Sequence, residues 1–357
     1  MSKVNVAIAG IGNCASSLVQ GIEYYKDADE GQFIPGLMHV NFGGYHINDV
    51  NFVAAFDIDA NKVGKDLSEA IFTKPNCTTK FSEVPELGIE VMRGEVHDGI
   101  GKHLKGVIPI DKSQEPVNVS KVLKETDTDV LINYMPVGSF EASRYYAREA
   151  LKAGCGFVNC MPEFIVSEEE WGQKFADKNI PCAGDDIKSQ VGATILHRVI
   201  AKLLDDRGVR LDESYQLNIG GNTDFLNMLE EERLSSKRVS KTEAVATQVP
   251  YEVPLRIGPS DYIPFLDDNK VCYIYAKGRK FGDVPLKIDV KLSVEDSPNS
   301  AGVVIDALRA VKLAKDRGVG GPLTSISAYC FKHPPKQIPD SEAKEAVEEF
   351  IAGEKER

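Results

Sequence analysis

The sequence predicts an α/β protein in which a doubly wound parallel sheet is accompanied by a second domain of α+β type. Three observations support this fold class. A buried strand turns into a helix through a glycine-rich segment within the first 17 residues. Apolar runs typical of buried strands then alternate with helical patterns up to about residue 190, as in parallel βαβ units. From about Val191 the runs become alternating or apolar, and long helices no longer separate them after about Val245.

The first strand-to-helix turn carries the pattern of a dinucleotide-binding loop. Residues 4–9 form a short apolar run, and residues 10–17 read Gly-Ile-Gly-Asn-Cys-Ala-Ser-Ser, which is G-x-G-x-x-A. Gly10 allows a tight turn, Gly12 lets the backbone approach a pyrophosphate, and Ala15 lets the helix pack closely on the strand. Free amides at the helix start would face the phosphate charge. The alternative is an ordinary strand-to-helix turn that needs glycine for its geometry alone.

An acidic residue closes the second predicted strand. Residues 52–56 are apolar and Asp57 follows them, where a dinucleotide fold places the acid that binds the adenine ribose hydroxyls. The separation from the glycines exceeds the usual ~20 residues, because a loop rich in Gly, His and Asn spans residues 27–51. The other reading is a helix N-cap, because Asp57 and Asp59 precede a helical pattern from residue 60 to residue 67, and the two roles can coexist.

Further buried strands are predicted at residues 129–133, 156–159 and 181–184, with helices at 117–125, 139–153 and 168–177. Residues 73–114 are irregular apart from a predicted strand at 106–110. Loops after the carboxyl ends of such strands bind ligands in doubly wound sheets. Asn133 and Pro136 lie at one of these ends, and Asp185, Asp186 and Ser189 follow another. The second group is a candidate anion site at a helix start, or a capping segment with Ser189 as the N-cap.

The rest of the chain predicts the second domain and a return to the first. Strand-like runs occur at residues 214–219, 249–257, 271–275, 286–294 and 323–331, and helices at 193–204, 301–315 and 341–351. We expect an antiparallel or mixed sheet here. The predicted limits are residues 1–191 for the dinucleotide-binding domain, 192–298 for the α+β domain and 299–357 for a C-terminal return to the first domain.

Composition narrows the classes of function and the cell compartment. The formal net charge is −12, so nucleic acids and anionic membranes are not expected partners. The seven cysteines contain no pair with the spacing of a zinc or redox motif, and we expect a reducing, cytoplasmic setting. Neither a signal sequence nor a membrane span is apparent. The six histidines show no metal-ligand spacing, and His197 is expected to be packed or solvated rather than catalytic.

Polar residues cluster after the strand-like runs of the second domain. Asn222 and Asp224 follow one run in a glycine-rich turn, and Lys237 and Lys241 are four residues apart in Ser-Ser-Lys-Arg-Val-Ser-Lys. On a helix these lysines would share a face, where like charges are mildly unfavourable, so an anionic ligand would explain them. The alternative is a solvated basic face. Three further groups lie at the ends of runs, where binding residues collect: Lys270, the segment 295–300 and Lys332.

In order along nearly the whole chain, these segments resemble the inositol-3-phosphate synthases, also called myo-inositol-1-phosphate synthases. The matching segments are residues 6–17, 184–192, 220–224, 237–241, 267–270, 295–300 and 327–334. The most specific motifs are G-D-D-x-K-S at 184–189 and S-K-x-x-S-K at 236–241. The likeness is greatest to the short bacterial, actinobacterial-type branch. The resemblance implies a Rossmann-like NAD domain that is interrupted by an α+β catalytic and tetramerisation domain.

The resemblance also implies an activity, the conversion of D-glucose 6-phosphate to 1D-myo-inositol 3-phosphate by a homotetramer. A hydride would leave carbon 5 for tightly bound NAD, and loss of a proton from carbon 6 would give an enolate. The enolate would close the ring on carbon 1, and the hydride would return. Each step develops charge on oxygen, which preorganised ammonium groups stabilise by about 3 kcal/mol per donor. A lysine whose pKa is lowered by neighbouring cations also acts as a base. A monovalent or divalent cation is left open, because family members differ and no ligand set is readable.

By position, the resemblance assigns roles to particular residues. The substrate phosphate would be bound by Ser189, Gln190, Val191 and Gly192, together with Lys241 and Lys270. Lys237 and Lys332 would surround the reacting oxygens, while Asp186, Asn222, Asp224 and Asp296 would orient the substrate and the lysines. The NAD-binding residues would be Gly10, Gly12, Asn13, Cys14, Ala15, Asp57, Asn133, Pro136, Asp185 and Ser300. Two segments depart from the family. Loop 10–17 replaces a eukaryotic loop rich in glycine and asparagine, and Ser-Gln-Val-Gly at 189–192 replaces Ser-Gly-Gln-Thr, which affects side-chain but not backbone contacts to the phosphate.

Two other classes of function fit parts of the sequence. A net NAD-dependent dehydrogenase of a small polar metabolite would share the two-domain plan, but it would release NADH in proportion to substrate. A nicotinamide-binding regulator would bind NAD and turn over no sugar phosphate, and its lysines would only be surface charge.

Overall fold

The computed structural model describes residues 3–357, apart from the side chains of residues 231, 234–238 and 259. In chain order the strands are β1 Val4–Ala9, β2 Asn41–Phe42, β3 Tyr45–His46, β4 Val50–Asp57, β5 Val91–Arg93, β6 Val130–Asn133, β7 Gly156–Asn159, β8 Pro181–Ala183, β9 Arg210–Gly220, β10 Leu255–Tyr262, β11 Asn269–Arg279, β12 Pro285–Glu295 and β13 Gly321–Pro322. The helices are α1 Asn13–Tyr24, α2 Leu67–Ala70, α3 Val119–Glu125, α4 Phe140–Ala153, α5 Glu169–Asp177, α6 Ala193–Asp206, α7 Thr223–Asn227, α8 Ser235–Ala246, α9 Asp296–Asp316, α10 Thr324–Cys330 and α11 Asp340–Ala352.

The larger sheet has seven strands in the order β13-β8-β7-β6-β1-β4-β5, and its neighbouring strands all pair in parallel. β1 lies between β4 and β6, so the chain first builds the sheet on one side of β1 and then on the other. Because the connections diverge at such a switch point, a cleft opens beyond the carboxyl ends of these strands. The predicted α/β class with a doubly wound sheet is confirmed.

Apolar layers cover both faces of the large sheet. Ile8 of β1 packs in a cluster with residues of α1, α9, α10 and α11, whereas Ala7 and Ala9 pack in a second cluster with α3, α4 and α5. α9 is 21 residues long and is buried along most of its length. The C-terminal part of the chain therefore packs on the N-terminal sheet, and β13 extends it. The domain limits at residues 191 and 298 stay a prediction.

The smaller sheet has four strands in the order β10-β9-β11-β12. It is mixed, because β10 pairs with β9 in parallel and the other pairs are antiparallel. Its inner face packs against α6 and α8 through residues that include Ile200, Val245 and Ile274. In the described part of the chain, no helix has both the length and the apolar character needed to cross a membrane.

The C-terminal run at residues 323–331 is a helix rather than the predicted strand. α10 spans Thr324–Cys330, and Ile326, Ala328 and Cys330 are buried within it. A short apolar run has no period that separates a buried helix from a buried strand. The predicted strand at 249–257 is also displaced, because β10 begins only at Leu255.

Two predictions between residues 58 and 114 are wrong. Residues 60–65 form turns, and the helix α2 begins only at Leu67, where the Asp66 side chain caps it. Residues 106–110 form turns with one isolated bridge, from Ile110 to Asp59. β5 at Val91–Arg93 was missed, because three residues are too few to show a period.

Candidate active site

One large cavity lies between the carboxyl edge of the seven-stranded sheet and the inner face of the four-stranded sheet. Of the predicted cofactor group, the lining includes Gly10, Gly12, Asn13, Cys14, Asp57, Pro136 and Ser300. Of the predicted catalytic and phosphate groups, it includes Asp186, Asn222, Asp224, Lys241, Lys270, Asp296, Lys332, Ser189 and Gly192. Lys237 lies outside the described side chains. Residues far apart in sequence thus share one cavity.

The glycine loop leaves open space at the start of α1. This helix begins at Asn13 with Gly12 as its N-cap, and none of the described side chains caps its first amides. A Cβ atom on Gly12 would meet no atom of the described residues within 4 Å, its two neighbours in the chain aside. Gly10 serves the fold instead, because its φ is +95° and a Cβ there would lie 2.6 Å from the carbonyl oxygen of Tyr134. The space beside Gly12 and the free amides fit a pyrophosphate.

Two charged side chains hold the peptide between the glycines. Asp57 Oδ2 accepts a hydrogen bond from the Ile11 amide at 2.7 Å, and Lys62 Nζ donates to the Ile11 carbonyl oxygen at 2.7 Å. Asn76 Nδ2 donates to the same carbonyl at 3.1 Å. The other oxygen of Asp57 accepts from the two amides that follow it, and no helix begins there, so its alternative N-cap role is wrong. Sequence reasoning missed Lys62 and Asn76.

The G-D-D-I-K-S motif pairs with the segment that carries Lys332. The amide of Lys332 donates to the Asp186 carbonyl at 2.7 Å, and the amide of Lys188 donates to the Cys330 carbonyl at 2.8 Å. Through this ladder Lys332 Nζ lies 2.7 Å from Asp186 Oδ1 and 2.6 Å from the Ile187 carbonyl oxygen. The other carboxylate oxygen of Asp186 accepts from Ser240 of α8. Asp186 therefore links the two segments that carry Lys332 and Lys241.

Lys270 at the start of β11 pairs with Asp296 at the start of α9. Lys270 Nζ lies 2.9 Å from Asp296 Oδ1. Burial alone lowers the pKa of Lys270, but Asp296, followed by Asp224, outweighs burial and raises this pKa above its usual value. Lys270 therefore stays an ammonium group in the cavity wall.

Asn222 and Asp224 are placed by the first turn of α7. Asn222 Oδ1 accepts from the amides of Asp224 at 3.0 Å and Phe225 at 3.2 Å, and its Nδ2 donates to Asp268 Oδ1 at 2.8 Å. Burial raises the pKa of Asp268 to about 6. The Asn222 amide is thus fixed at both ends, while Asp224 faces the cavity.

A second helix start without a side-chain cap lies in the wall of the cavity. α6 begins at Ala193 after the N-cap Gly192, with no cap from any side chain that the structure describes and with no acidic residue in its first turn. Ser189 lines the cavity without capping this helix, so its alternative role as the N-cap is wrong. Thr194, which sequence reasoning missed, also lines the cavity. Free amides at a helix N-terminus stabilise an anion.

Gln190 and Val191 do not line the cavity. The Gln190 amide donates to the Asn299 carbonyl at 2.9 Å, and the Val191 amide donates to Asn299 Oδ1 at 3.0 Å. Val191 is also 57% exposed. Because residues of α9 occupy both amides, only Ser189 and Gly192 of the predicted phosphate-binding segment are among the residues that line the cavity.

Three predicted cofactor residues are buried outside the cavity lining. Asp185 accepts hydrogen bonds from Asn159 Nδ2 and from the segment 165–167. Asn133 donates to Ser143 and Asn159. These bonds hold both side chains inside the fold, so the structure does not bring Asp185 and Asn133 into the cavity with the other predicted cofactor residues. Ala15 is fully buried, which agrees with its packing role.

The inner face of β9 adds polar groups that sequence reasoning missed. Gln216 and Asn218 line the cavity, and Gln216 Nε2 donates to Asn218 Oδ1 at 3.1 Å. Asn218 Nδ2 is buried and has no hydrogen-bond partner among the described residues, so it can donate to a ligand. The alternation of β9 points both side chains inward. Polar residues at inward-facing positions of a predicted strand were the sequence signal that could have identified Gln216 and Asn218 as site residues.

No group of three or more His, Cys, Asp or Glu side chains is arranged to hold a metal ion within the part of the chain that the structure describes. The arrangement that is present combines a glycine loop with open space beside it, a helix start at α6 without a side-chain cap, and two ion-paired lysines, Lys270 and Lys332, in the wall of one cavity. This combination can bind a phosphorylated substrate beside a redox cofactor and stabilise negative charge on its oxygens.

Two solved structures share the overall fold of this chain. A crystal structure of Ari2 is 33% identical and covers 99% of each chain with a TM-score of 0.80. A myo-inositol-1-phosphate synthase-related protein from Thermotoga maritima is 25% identical and covers 98% of each chain with a TM-score of 0.79.

Sequence relatives identify the family. A family model described as myo-inositol-1-phosphate synthase matches residues 192–297. An inositol-3-phosphate synthase of Mycolicibacterium smegmatis is 57% identical over 358 residues, or 98% of each chain. That of Mycobacterium tuberculosis is 57% identical over 99% of this chain and 96% of its own, and that of Corynebacterium glutamicum is 54% identical over 98% of each. Because relatives of such identity span nearly the whole chain, it belongs to the inositol-3-phosphate synthase family.

Proposed function

We propose that the protein converts D-glucose 6-phosphate to 1D-myo-inositol 3-phosphate with NAD that is used and regenerated. The observation that carries the proposal is the convergence of Lys241, Lys270 and Lys332 on the cavity that the glycine loop also lines. Relatives that carry the name of this activity are 54–57% identical over nearly the whole chain.

The residues around the glycine loop fit NAD. Bound there, NAD would accept the hydride from carbon 5 of the sugar and later return it. Gly12 gives the pyrophosphate room, and the α1 amides face its charge. The Asp57 carboxylate would accept hydrogen bonds from the ribose hydroxyls of NAD, and it would repel the ribose phosphate of NADP. Burial, followed by Asp268 and Asp296, raises the pKa of Cys14 to about 12, so this thiol stays neutral beside the phosphates.

The substrate phosphate would sit at the N-terminus of α6. The α6 amides, Ser189 and Gly192 would bind it, and Lys241 and Lys270 would supply positive charge. Because carboxylates raise the pKa of Lys270, this lysine would act as an electrostatic clamp and not as a base. Thr194 and Asn218 extend the set of donors that face the substrate.

Lys332 would stabilise charge on the reacting oxygens. Its ion pair with Asp186 and its bond to the Ile187 carbonyl hold the ammonium in place before the substrate arrives. Fixed charges in a dry site need little reorganisation as the enolate forms. From the family resemblance alone, Lys237 would also lie beside these oxygens, while Asn222, Asp224 and Asp296 would orient the substrate and the lysines.

The test is a turnover assay with glucose 6-phosphate and a catalytic amount of NAD, with the product identified by NMR. We expect many molecules of inositol phosphate per NAD and no NADH beyond the enzyme-bound amount. NADH released in proportion to substrate would favour a net dehydrogenase. NAD binding without turnover of the sugar phosphate would favour a regulator.

A homotetramer is proposed from the family resemblance. The outer face of the small sheet supports it, because Tyr215, Leu217 and Tyr273 are each about 40% exposed there and apolar sheet faces bind partners. Light scattering on the purified protein tests the subunit number.

A requirement for a monovalent or divalent cation stays a prediction, as does a cytoplasmic setting. The cation requirement is tested by assaying protein that has been treated with a chelator and then supplied with one cation at a time.

A further inference from the structure

Lys188 of the G-D-D-I-K-S motif points away from the cavity into a buried cluster of charges. Lys188 Nζ lies 3.0 Å from Asp340 Oδ1, and Arg198 Nε lies 2.8 Å from Asp340 Oδ2. The side chains of Lys188 and Arg198 are 1% and 0% exposed. Asp340 is the first residue of α11, so the C-terminal helix supplies the carboxylate that both buried cations share.

Both cations of this cluster also hold carbonyl groups near the proposed catalytic lysines. Lys188 Nζ donates to the carbonyl oxygens of Ala328 at 2.7 Å and Tyr329 at 3.2 Å, at the end of α10 and shortly before Lys332. Arg198 donates to the Ala244 carbonyl at 2.7 Å, one turn after Lys241 in α8. The cluster therefore ties together the chain segments that carry both lysines.

We infer that Asp340 is a positioning residue of the reaction, which through Lys188 and Arg198 fixes the segments of Lys332 and Lys241 around Asp186. The inference rests on the proposed function. Removing the shared carboxylate would leave two buried cations without their partner, which is strongly unfavourable. The backbone that they hold would then shift. Displacing a catalytic group by about 1 Å lowers a rate by as much as roughly 100-fold.

The charge state of Lys188 supports the same role. Burial lowers the pKa of Lys188 to about 8, although Asp340 opposes this effect. The Lys188 ammonium is thus maintained against burial largely by Asp340. Without that carboxylate, Lys188 would lose its proton more readily and hold the end of α10 less firmly.

The first test compares Asp340→Asn with Glu342→Gln. Asn keeps the shape but can accept from only one of the two cations, whereas Glu342 is an exposed acid in the same first turn of α11. We expect kcat to fall about tenfold or more in Asp340→Asn, with the NAD dissociation constant unchanged. Asp340→Glu should recover part of kcat, and Glu342→Gln should keep the wild-type value. A folded Asp340→Asn protein with wild-type kcat would overturn the inference.

A double-mutant cycle with Lys332→Met separates positioning from a general loss of structure. Because Asp340 acts through the segments of both Lys332 and Lys241, only the route through Arg198 and Lys241 remains once Lys332 is replaced. Asp340→Asn should therefore lower kcat by a smaller factor in the Lys332→Met background than in the wild-type background. An equal fall in both backgrounds would overturn the inference. If Asp340→Asn does not fold, Lys188→Met takes its place with the same two expectations, because Asp340 then keeps Arg198 as its partner.

Wild-type turnover in the same assay distinguishes the two proposals. A wild-type protein that forms no inositol phosphate would overturn the proposed function together with the inference that rests on it. An active wild-type protein whose Asp340 variants behave like Glu342→Gln would overturn the inference alone.

Discussion

Lys332 Nζ lies 2.7 Å from Asp186 Oδ1, although the two residues are 146 positions apart in the chain. The pairing of residues 185–188 with residues 330–333 brings them together. The carboxylate holds the ammonium at the cavity wall, and Ser240 of α8 holds the carboxylate in turn. The Lys332 ammonium group is therefore held in a fixed position at the cavity wall before any substrate binds.

Replacing Lys332 by methionine should abolish most of the turnover without unfolding the protein. Met keeps most of the apolar stem and removes the charge. Loss of one preorganised donor to a developing oxyanion lowers kcat by roughly 100-fold or more. Steady-state assays with thermal melts measure both effects, and NAD titration should be unchanged. Lys336→Met, which removes an exposed lysine four positions away, should keep the wild-type rate. Near-normal turnover in Lys332→Met would show that this lysine is only surface charge.

Lys270→Met should affect substrate binding as well as the chemical step. Its ammonium is paired with Asp296 and stays charged, so its loss removes attraction for the substrate phosphate. Binding energy from a remote phosphate also positions the reacting carbons. We expect KM for glucose 6-phosphate to rise and kcat to fall, each by about tenfold. Lys277→Met, at the other end of β11 and on its opposite face, is the matched control. A change confined to NAD affinity would contradict this assignment.

Much of the fold followed from local patterns in the sequence. The G-x-G-x-x-A pattern lies between one strand and the helix that follows it, so neighbouring residues alone were enough to predict its location beside a cavity. β5 and the contacts of Lys62 lie in residues 58–114, where short turns show no period. Long-range contacts set that segment, because Lys62 is positioned by the Ile11 carbonyl 51 residues earlier.

The site was only partly predictable for a similar reason. Asp185 and Asp186 are adjacent acids with the same local pattern. The Asp185 carboxylate accepts hydrogen bonds from the amides of residues 165–167, whereas Asp186 lines the cavity. Which acid turns inward depends on the backbone hydrogen bonds between residues 185–188 and residues 330–333. The joint location of Lys270 and Lys332 came from the family resemblance, because neither lysine has a distinctive local pattern.

The buried His197 should make the protein sensitive to mild acid. Its ring lies between Gln216 and Ser214, and burial lowers its pKa from 6.5 to about 4. The unfolded chain therefore takes up this proton first as the pH falls. The stability that His197 contributes is complete above pH 6.5 and is lost progressively toward pH 4, by roughly 3 kcal/mol in total. Urea unfolding of wild type and His197→Gln across this range measures it. The variant should show a shallower loss of stability, and an equal loss in both proteins would exclude His197 as its cause.

The two glycines of the cofactor loop should fail in different ways when each is replaced by alanine. A Cβ on Gly12 meets nothing within 4 Å among the described residues beyond its two chain neighbours, so Gly12→Ala should melt like wild type. The added methyl group would occupy the space for the pyrophosphate, and calorimetric NAD affinity should fall on the order of tenfold or more, as a contact to a charged group is lost. Gly10→Ala should instead destabilise the fold by about 1–2 kcal/mol or more, because φ is +95° and the methyl group would press on the Tyr134 carbonyl at 2.6 Å. If Gly12→Ala binds NAD with wild-type affinity, the proposal that this loop binds the pyrophosphate of NAD is wrong.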